Sequence, residues 1–143
     1  MPHSAILIQR RIEWSDTDAS GYYHNTAAFR MLEWAETALL ESLGMIDVYG
    51  RLPRVHVSAD FKAPLKHRDL IDVDLEVVDV GTSSISYRVE FRRRGEVCVS
   101  VRFVASLVDE HRNPQAWPKD RRKLLLTAGR QPSELLISDN VSP

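Results

Sequence analysis

Two carboxylates, a glycine, a histidine and an amide crowd into one short stretch, Asp16-Thr-Asp18-Ala-Ser-Gly21-Tyr-Tyr-His24-Asn25. A positioned carboxylate can take a proton from water as a general base, or can itself attack an electrophilic carbon. The residues that follow open a helical pattern, and the first N–H groups of a helix have no intrahelical acceptor and carry the positive end of its dipole. They suit a developing negative oxygen. Glycine at position 21 would allow a positive φ or a close approach of the backbone to a ligand. Any chemistry of this chain is expected here.

Each residue also has a plainer reading. Aspartate before a helix is most often a turn or cap residue, and for Asp16 that reading is preferred; Asp18, three residues before Gly21, is the catalytic candidate. For His24, lining a mouth and orienting water or substrate are readings of equal weight. Asn25 is a hydrogen bonder at the helix start, a site residue, or both.

The positioning element is the run Thr26 to Leu43, free of proline and glycine and rich in helix formers, with Gly44 as its stop. Arg30, Glu33, Thr37 and Glu41 form one narrow polar stripe, while Ala28, Phe29, Met31, Leu32, Ala35, Leu39, Leu40 and Leu43 cover most of the rest. So wide an apolar face predicts a helix wrapped by other structure. A strand precedes it, from Ala5 to Trp14.

After a connector from Met45 to Arg54, strands dominate. Val55, Val57, Ala59 and Phe61 alternate with polar residues until Ala63-Pro64 breaks the run. Ile71, Val73, Leu75 and Val77 alternate with acids, then Ile85, Tyr87, Val89 and Phe91 with polar residues, and Val97, Val99, Val101, Phe103, Ala105 and Leu107 form the longest run. Turns at Gly81-Thr82 and Arg94-Gly95 make the last three strands an antiparallel meander. Asp109 to Trp117 reads as loop and Pro118 to Ala128 as a short basic helix. The expected fold is α+β: a five-stranded antiparallel sheet wrapped around one long central helix, a hot-dog arrangement. Residues 1–128 form one domain and 129–143 a polar tail of a composition compatible with disorder.

The totals remove several function classes. With 143 residues, 43% hydrophobic and 27% charged, the chain has the makings of one globular domain. A net charge of −1 gives no general grip on nucleic acid, and no apolar run approaches the roughly 20 residues of a membrane span. The N-terminus lacks the pattern of a secretory leader, so a cytoplasmic location is expected. Cys98, the single cysteine, reads as a small strand residue rather than a nucleophile. His3, His24, His56, His67 and His111 are scattered without metal-ligand spacing, and no metal is expected. No Gly-x-Ser-x-Gly occurs, which disfavours serine catalysis.

Asp16-Thr-Asp18-Ala-Ser-Gly21, His24-Asn25, Phe29, Leu32-Glu33-Trp34-Ala35 and the strand Val57 to Pro64 together resemble the 4-hydroxybenzoyl-CoA thioesterase-like family of hot-dog acyl-CoA thioesterases, over about residues 5 to 110. The resemblance implies hydrolysis of an acyl-CoA thioester to a free acid and CoA, with the second aspartate of the motif, Asp18, as general base or nucleophile. Backbone N–H groups around His24 and Asn25 would form the oxyanion site, and Gly21, Tyr23 and Lys62 would contact substrate. No cofactor is implied, CoA being part of the substrate. Glu33 occupies a recurrent acidic position on the central helix and suits a salt bridge or subunit contact.

Two departures, Ala28 where the family often has an aromatic and Glu36 where it often has arginine, bear on acyl-pocket shape and charge balance. Arg92-Arg93-Arg94 and Lys119-x-Arg121-Arg122-Lys123 read as solvated faces, although one of them, or Lys62 and Lys66, could hold the nucleotide end of CoA. The resemblance further implies a homodimer or homotetramer with sites between subunits, and an exposed last strand would favour edge-to-edge pairing. An acyl-carrier-protein thioesterase, a non-catalytic acyl-CoA-binding module and, more weakly, a hydratase remain as alternatives.

Overall fold

A computed structural model of the chain describes residues 2–132 and the backbone of 134 and 135. In chain order the elements are β1 (Ala5–Arg11), α1 (Ala27–Ser42), β2 (Arg54–Phe61), β3 (Leu70–Val80), β4 (Ser84–Arg93), β5 (Glu96–Ser106), α2 (Lys119–Thr127) and β6 (Glu134–Leu135). They form one sheet in the order β2-β5-β4-β3-β1-β6. Every neighbouring pair is antiparallel except β1 with β6, which is parallel. The expected meander is therefore β3-β4-β5, with β1 continuing it on one side and β2 on the other.

The alternation read from the sequence decides the inner face. Ile6 and Ile8 of β1, Ile71, Val73, Leu75 and Val77 of β3, Ile85, Tyr87, Val89 and Phe91 of β4, and Val99, Val101, Phe103 and Ala105 of β5 are all buried. Across them α1 lays Met31, Leu32, Ala35, Leu39 and Leu40 over β1 and β3. Burying one such leucine contributes about 1.5–3 kcal/mol, so this stripe fixes where the start of α1 must sit.

The five antiparallel strands are those expected, and three further features were not. A two-residue parallel strand joins them, because residues from Gly129 run along β1: Gln131 N–H donates to the Ala5 carbonyl (2.7 Å) and Ala5 N–H to that of Gly129 (3.2 Å), leading into β6. The remainder of the expected tail lies outside the described residues. The last long strand, β5, is not an exposed edge; it is central, because β2 returns after the helix to pair with it. The open edge is β2 itself, where Val55 is 61% and Phe61 50% exposed. Nor is α1 wrapped all round: Phe29, assigned to the apolar face, is 44% exposed, and Trp34 is 43% exposed beneath the Arg10 guanidinium (3.6 Å from its ring centroid).

One irregularity positions the site. The register between β4 and β5 slips after the Phe91–Val99 pair, so that Arg92 pairs with Val97 and Cys98 is left as the extra residue of a bulge. Its side chain turns inward and is buried, and burial pushes the thiol pKa up, in keeping with a strand residue and not a nucleophile. Its carbonyl accepts both Lys62 N–H (2.8 Å) and Ala63 N–H (3.1 Å). The end of β2 is thereby anchored opposite the start of α1.

Candidate active site

The loop from Trp14 to Thr26 is built by its own polar groups. Asp16 is buried (1% exposed), and one carboxylate oxygen accepts Glu13 N–H (2.8 Å) while the other accepts the Arg30 guanidinium from α1 (2.8 Å). Its carbonyl accepts His24 N–H (2.8 Å). Asp16 thus ties together the end of β1, the first turn of α1 and the returning loop. This is the turn-and-scaffold role preferred for it from sequence.

Between these anchors the chain makes a tight turn. Gly21 N–H donates to the Asp18 carbonyl (2.9 Å) and Asp18 N–H to that of Tyr22 (3.1 Å). Gly21 takes φ +83°, a conformation that other residues rarely adopt, while a side-chain carbon there would meet nothing within 4 Å. The glycine is required by backbone conformation and not by a close approach. It is not among the residues that line the cleft described below.

Asp18 is exposed, with one carboxylate oxygen accepting both the hydroxyl and the backbone N–H of Ser20. These two bonds, the hydroxyl first, hold its carboxyl below the usual carboxylate range. Its second oxygen has no acceptor or donor partner among the described residues. Asp18 is therefore an ionised, oriented carboxylate with one oxygen left for a ligand.

A cleft of about 590 Å³ opens beside it, lined by Asp18, Tyr23, His24, Asn25, Lys62 and Leu65 among others. Five of the six residues singled out in the sequence meet here, although Lys62 lies 37 positions beyond Asn25. The strand pairing through Cys98 brings it in, helped by Tyr23 N–H donating to the Leu65 carbonyl (2.7 Å) and by a bridge between Tyr22 and Lys66.

The N–H groups at the helix start are not equivalent. Tyr23 N–H is spent on Leu65 and His24 N–H on Asp16, which corrects the expectation that His24 would help to hold an oxyanion. Thr26 N–H donates to Nδ1 of His24 (3.1 Å), and the Thr26 hydroxyl lies 2.6 Å from the same nitrogen. With Nδ1 accepting from the backbone, the neutral ring carries its proton on Nε2 and acts as the helix cap that Thr26 itself does not supply. Asn25 N–H has no acceptor among the described residues. Asn25 also lines the cleft.

Tyr23 contributes its ring rather than its hydroxyl, which points inward at the Met31 sulfur (3.5 Å). Burial, and next the Asp16 charge, push the phenol well above its ordinary pKa, so it stays neutral. Sequence reasoning missed the partner of Glu36. Placed in no polar stripe, it is 5% exposed and paired with Arg54 (2.9 Å) across the gap between α1 and β2. Nothing local in the sequence links residues so far apart.

A carboxylate poised beside a free helix-start N–H is a combination suited to acyl transfer, and comparison with known proteins supplies the family. The model of the thioesterase-like superfamily matches residues 12–126. The chain belongs to that superfamily. A 1,4-dihydroxy-2-naphthoyl-CoA hydrolase of Prochlorococcus marinus strain NATL2A is 27% identical over 108 residues, covering 66% of this chain and 70% of the relative. Among solved structures, a 1,4-dihydroxy-2-naphthoyl-CoA thioesterase from Synechocystis aligns with a TM-score of 0.75 at 20% identity, over 85% of this chain and 95% of that one. A gentisyl-coenzyme A thioesterase aligns with a TM-score of 0.74 at 20% identity, over 83% and 98% respectively. These structures share the hot-dog fold with this member of the superfamily.

Proposed function

We propose that the chain hydrolyses an acyl-CoA thioester to a carboxylic acid and CoA. The observation that carries the reading is a single cleft lined by both Asp18, which has one carboxylate oxygen without a partner, and Asn25, whose N–H has no acceptor among the described residues. Asp18 either removes a proton from water as the water attacks the thioester carbon, or attacks that carbon itself to give an anhydride that water then opens. In both routes the carbonyl oxygen becomes negative, the Asn25 N–H stabilises it, and the C–S bond breaks to release CoA thiolate, which takes up a proton. A donor of this kind is worth about 2.7–4 kcal/mol of transition-state stabilisation. Superfamily membership and the naphthoyl-CoA hydrolase relative support CoA as the thiol carrier.

The same proposal includes a homodimer or homotetramer, formed on the open edge of β2. Phe61 lies on that edge and also lines the cleft, so a second subunit pairing there would close the site. Scattering that shows a monomer at all concentrations would remove this part. A cytoplasmic setting, supported by the free thiol of Cys98, completes it. The activity is tested by following free-thiol release from a panel of acyl-CoA thioesters and their acyl-carrier-protein counterparts. Thiol release from the CoA series is expected. Release from the carrier series alone, or binding with no release, would overturn the assignment.

A further inference from the structure

Helix starts are ordinarily capped by serine, threonine, asparagine or aspartate, whose side-chain oxygen accepts a free backbone N–H. At the start of α1 that task falls to His24. Thr26 makes no side-chain cap, and its N–H donates to Nδ1 of His24 (3.1 Å). An asparagine at position 24 would satisfy the same donor, because its side-chain oxygen reaches the N–H two residues on. What a histidine adds is a second ring nitrogen. With Nδ1 accepting, the proton of the neutral ring sits on Nε2, and that donor has no acceptor among the described residues.

His24 is half-buried and lines the cleft together with Asp18 and Asn25. Among the described residues no hydrogen bond joins its ring to Asp18: the carboxylate accepts from Ser20, and the ring is engaged with Thr26 through Nδ1. Both side chains therefore keep bonding capacity for a ligand in the same cleft. The backbone N–H of His24 is lost to the Asp16 carbonyl (2.8 Å) and cannot serve an oxyanion, whereas the ring N–H can. A neutral imidazole polarises a carbonyl by hydrogen bonding without giving up its proton.

We infer that His24 is a second oxyanion donor, its Nε2–H hydrogen-bonding the carbonyl oxygen of the thioester beside the Asn25 N–H. The inference rests on the acyl-CoA reading above and assigns one more catalytic residue within it. As Asp18, or the water it activates, attacks the carbonyl carbon, negative charge grows on an oxygen held by donors from two successive residues. The ring keeps its proton throughout. The charge returns to the C=O bond as the C–S bond breaks and CoA leaves as thiolate. The Thr26 N–H acts through the ring, by fixing the tautomer that places the proton on Nε2. A donor fixed in advance needs no reorganisation when the charge develops, which is what makes it effective.

The test separates the cap from the donor. His24→Asn retains an acceptor for the Thr26 N–H and removes the ring donor, whereas His24→Ala removes both. With the acyl-CoA of the panel that releases thiol fastest, kcat of His24→Asn should fall about 10²–10³-fold while KM changes less than threefold, and its unfolding midpoint in urea should match the wild type. His24→Ala should lose turnover to a similar extent and also unfold at a lower midpoint. Nitrogen-15 NMR of the wild type should show the His24 ring as the Nε2–H tautomer. A wild-type kcat in His24→Asn, a loss confined to KM, or an Nδ1–H tautomer in the wild type would overturn the inference and leave the hydrolase reading in place. A wild type that releases no thiol from any acyl-CoA of the panel would remove that reading and this inference together.

Discussion

Asp16 and Asp18 stand two residues apart in one loop and are held in opposite ways. Asp16 is buried, with both carboxylate oxygens taken by protein donors from different elements. Asp18 is exposed, and among the described residues its carboxylate is held by Ser20 alone, within its own turn. The first carboxylate spends its bonding capacity on joining β1, the loop and α1; the second keeps an oxygen for something that is not the protein. Saturation by donors marks a structural acid, and a fixed but unsaturated carboxylate beside an open N–H marks a candidate for chemistry.

The contrast can be broken most severely at Asp18. Asp18→Asn keeps size and hydrogen-bonding shape and removes the base or nucleophile, so kcat/KM for an acyl-CoA should fall by about 10²–10⁴, with an unchanged unfolding midpoint. Asp16→Ala should do the reverse. It strips the acceptor from Glu13 N–H and from Arg30, and because Arg30 is itself well exposed the loss should be about 2 kcal/mol, read as a lower midpoint in urea. If Asp16→Ala left stability untouched, the scaffold role would be wrong.

Smaller effects sharpen the same picture. Gly21→Ala forces a side chain into positive φ, costing about 1–2 kcal/mol of stability without a steric clash. Ser20→Ala removes the leading cause of the depressed Asp18 pKa. Lowering pH protonates Asp18 and removes activity, and because its pKa is lowered the acid limb of kcat/KM should lie below the ordinary carboxylate value. In Ser20→Ala the limb should move upward in pH; an unmoved limb would mean that another group controls it.

Much of this was legible in the sequence for physical reasons. Period-two alternation placed β3, β4 and β5, and the absence of proline and glycine bounded α1 to within a residue at each end. The cluster from Asp16 to Asn25 could be read because its residues are local. What could not be read depends on long-range pairing. No local pattern says that β2 returns to pair with β5, which makes β5 central and leaves Val55 and Phe61 at an open edge. Phe29 looks like a core residue by spacing, yet the described residues leave it 44% exposed. The loss of His24 N–H to the Asp16 carbonyl depends on loop geometry that residue types do not encode. The turn at Arg94-Gly95 was legible through its glycine, whereas the positive φ of Arg68 was not, since arginine is an unusual choice there.

The central claim, that Asp18 performs the chemistry and Asp16 supports it, is tested most directly by one paired measurement. Free-thiol release from an acyl-CoA is compared for wild type, Asp16→Asn and Asp18→Asn, at a temperature where all three are folded by circular dichroism. Asp18→Asn should be fully folded and nearly inactive, while Asp16→Asn should be less stable and retain turnover in its folded fraction. A folded Asp18→Asn protein that releases thiol at the wild-type rate would contradict the account.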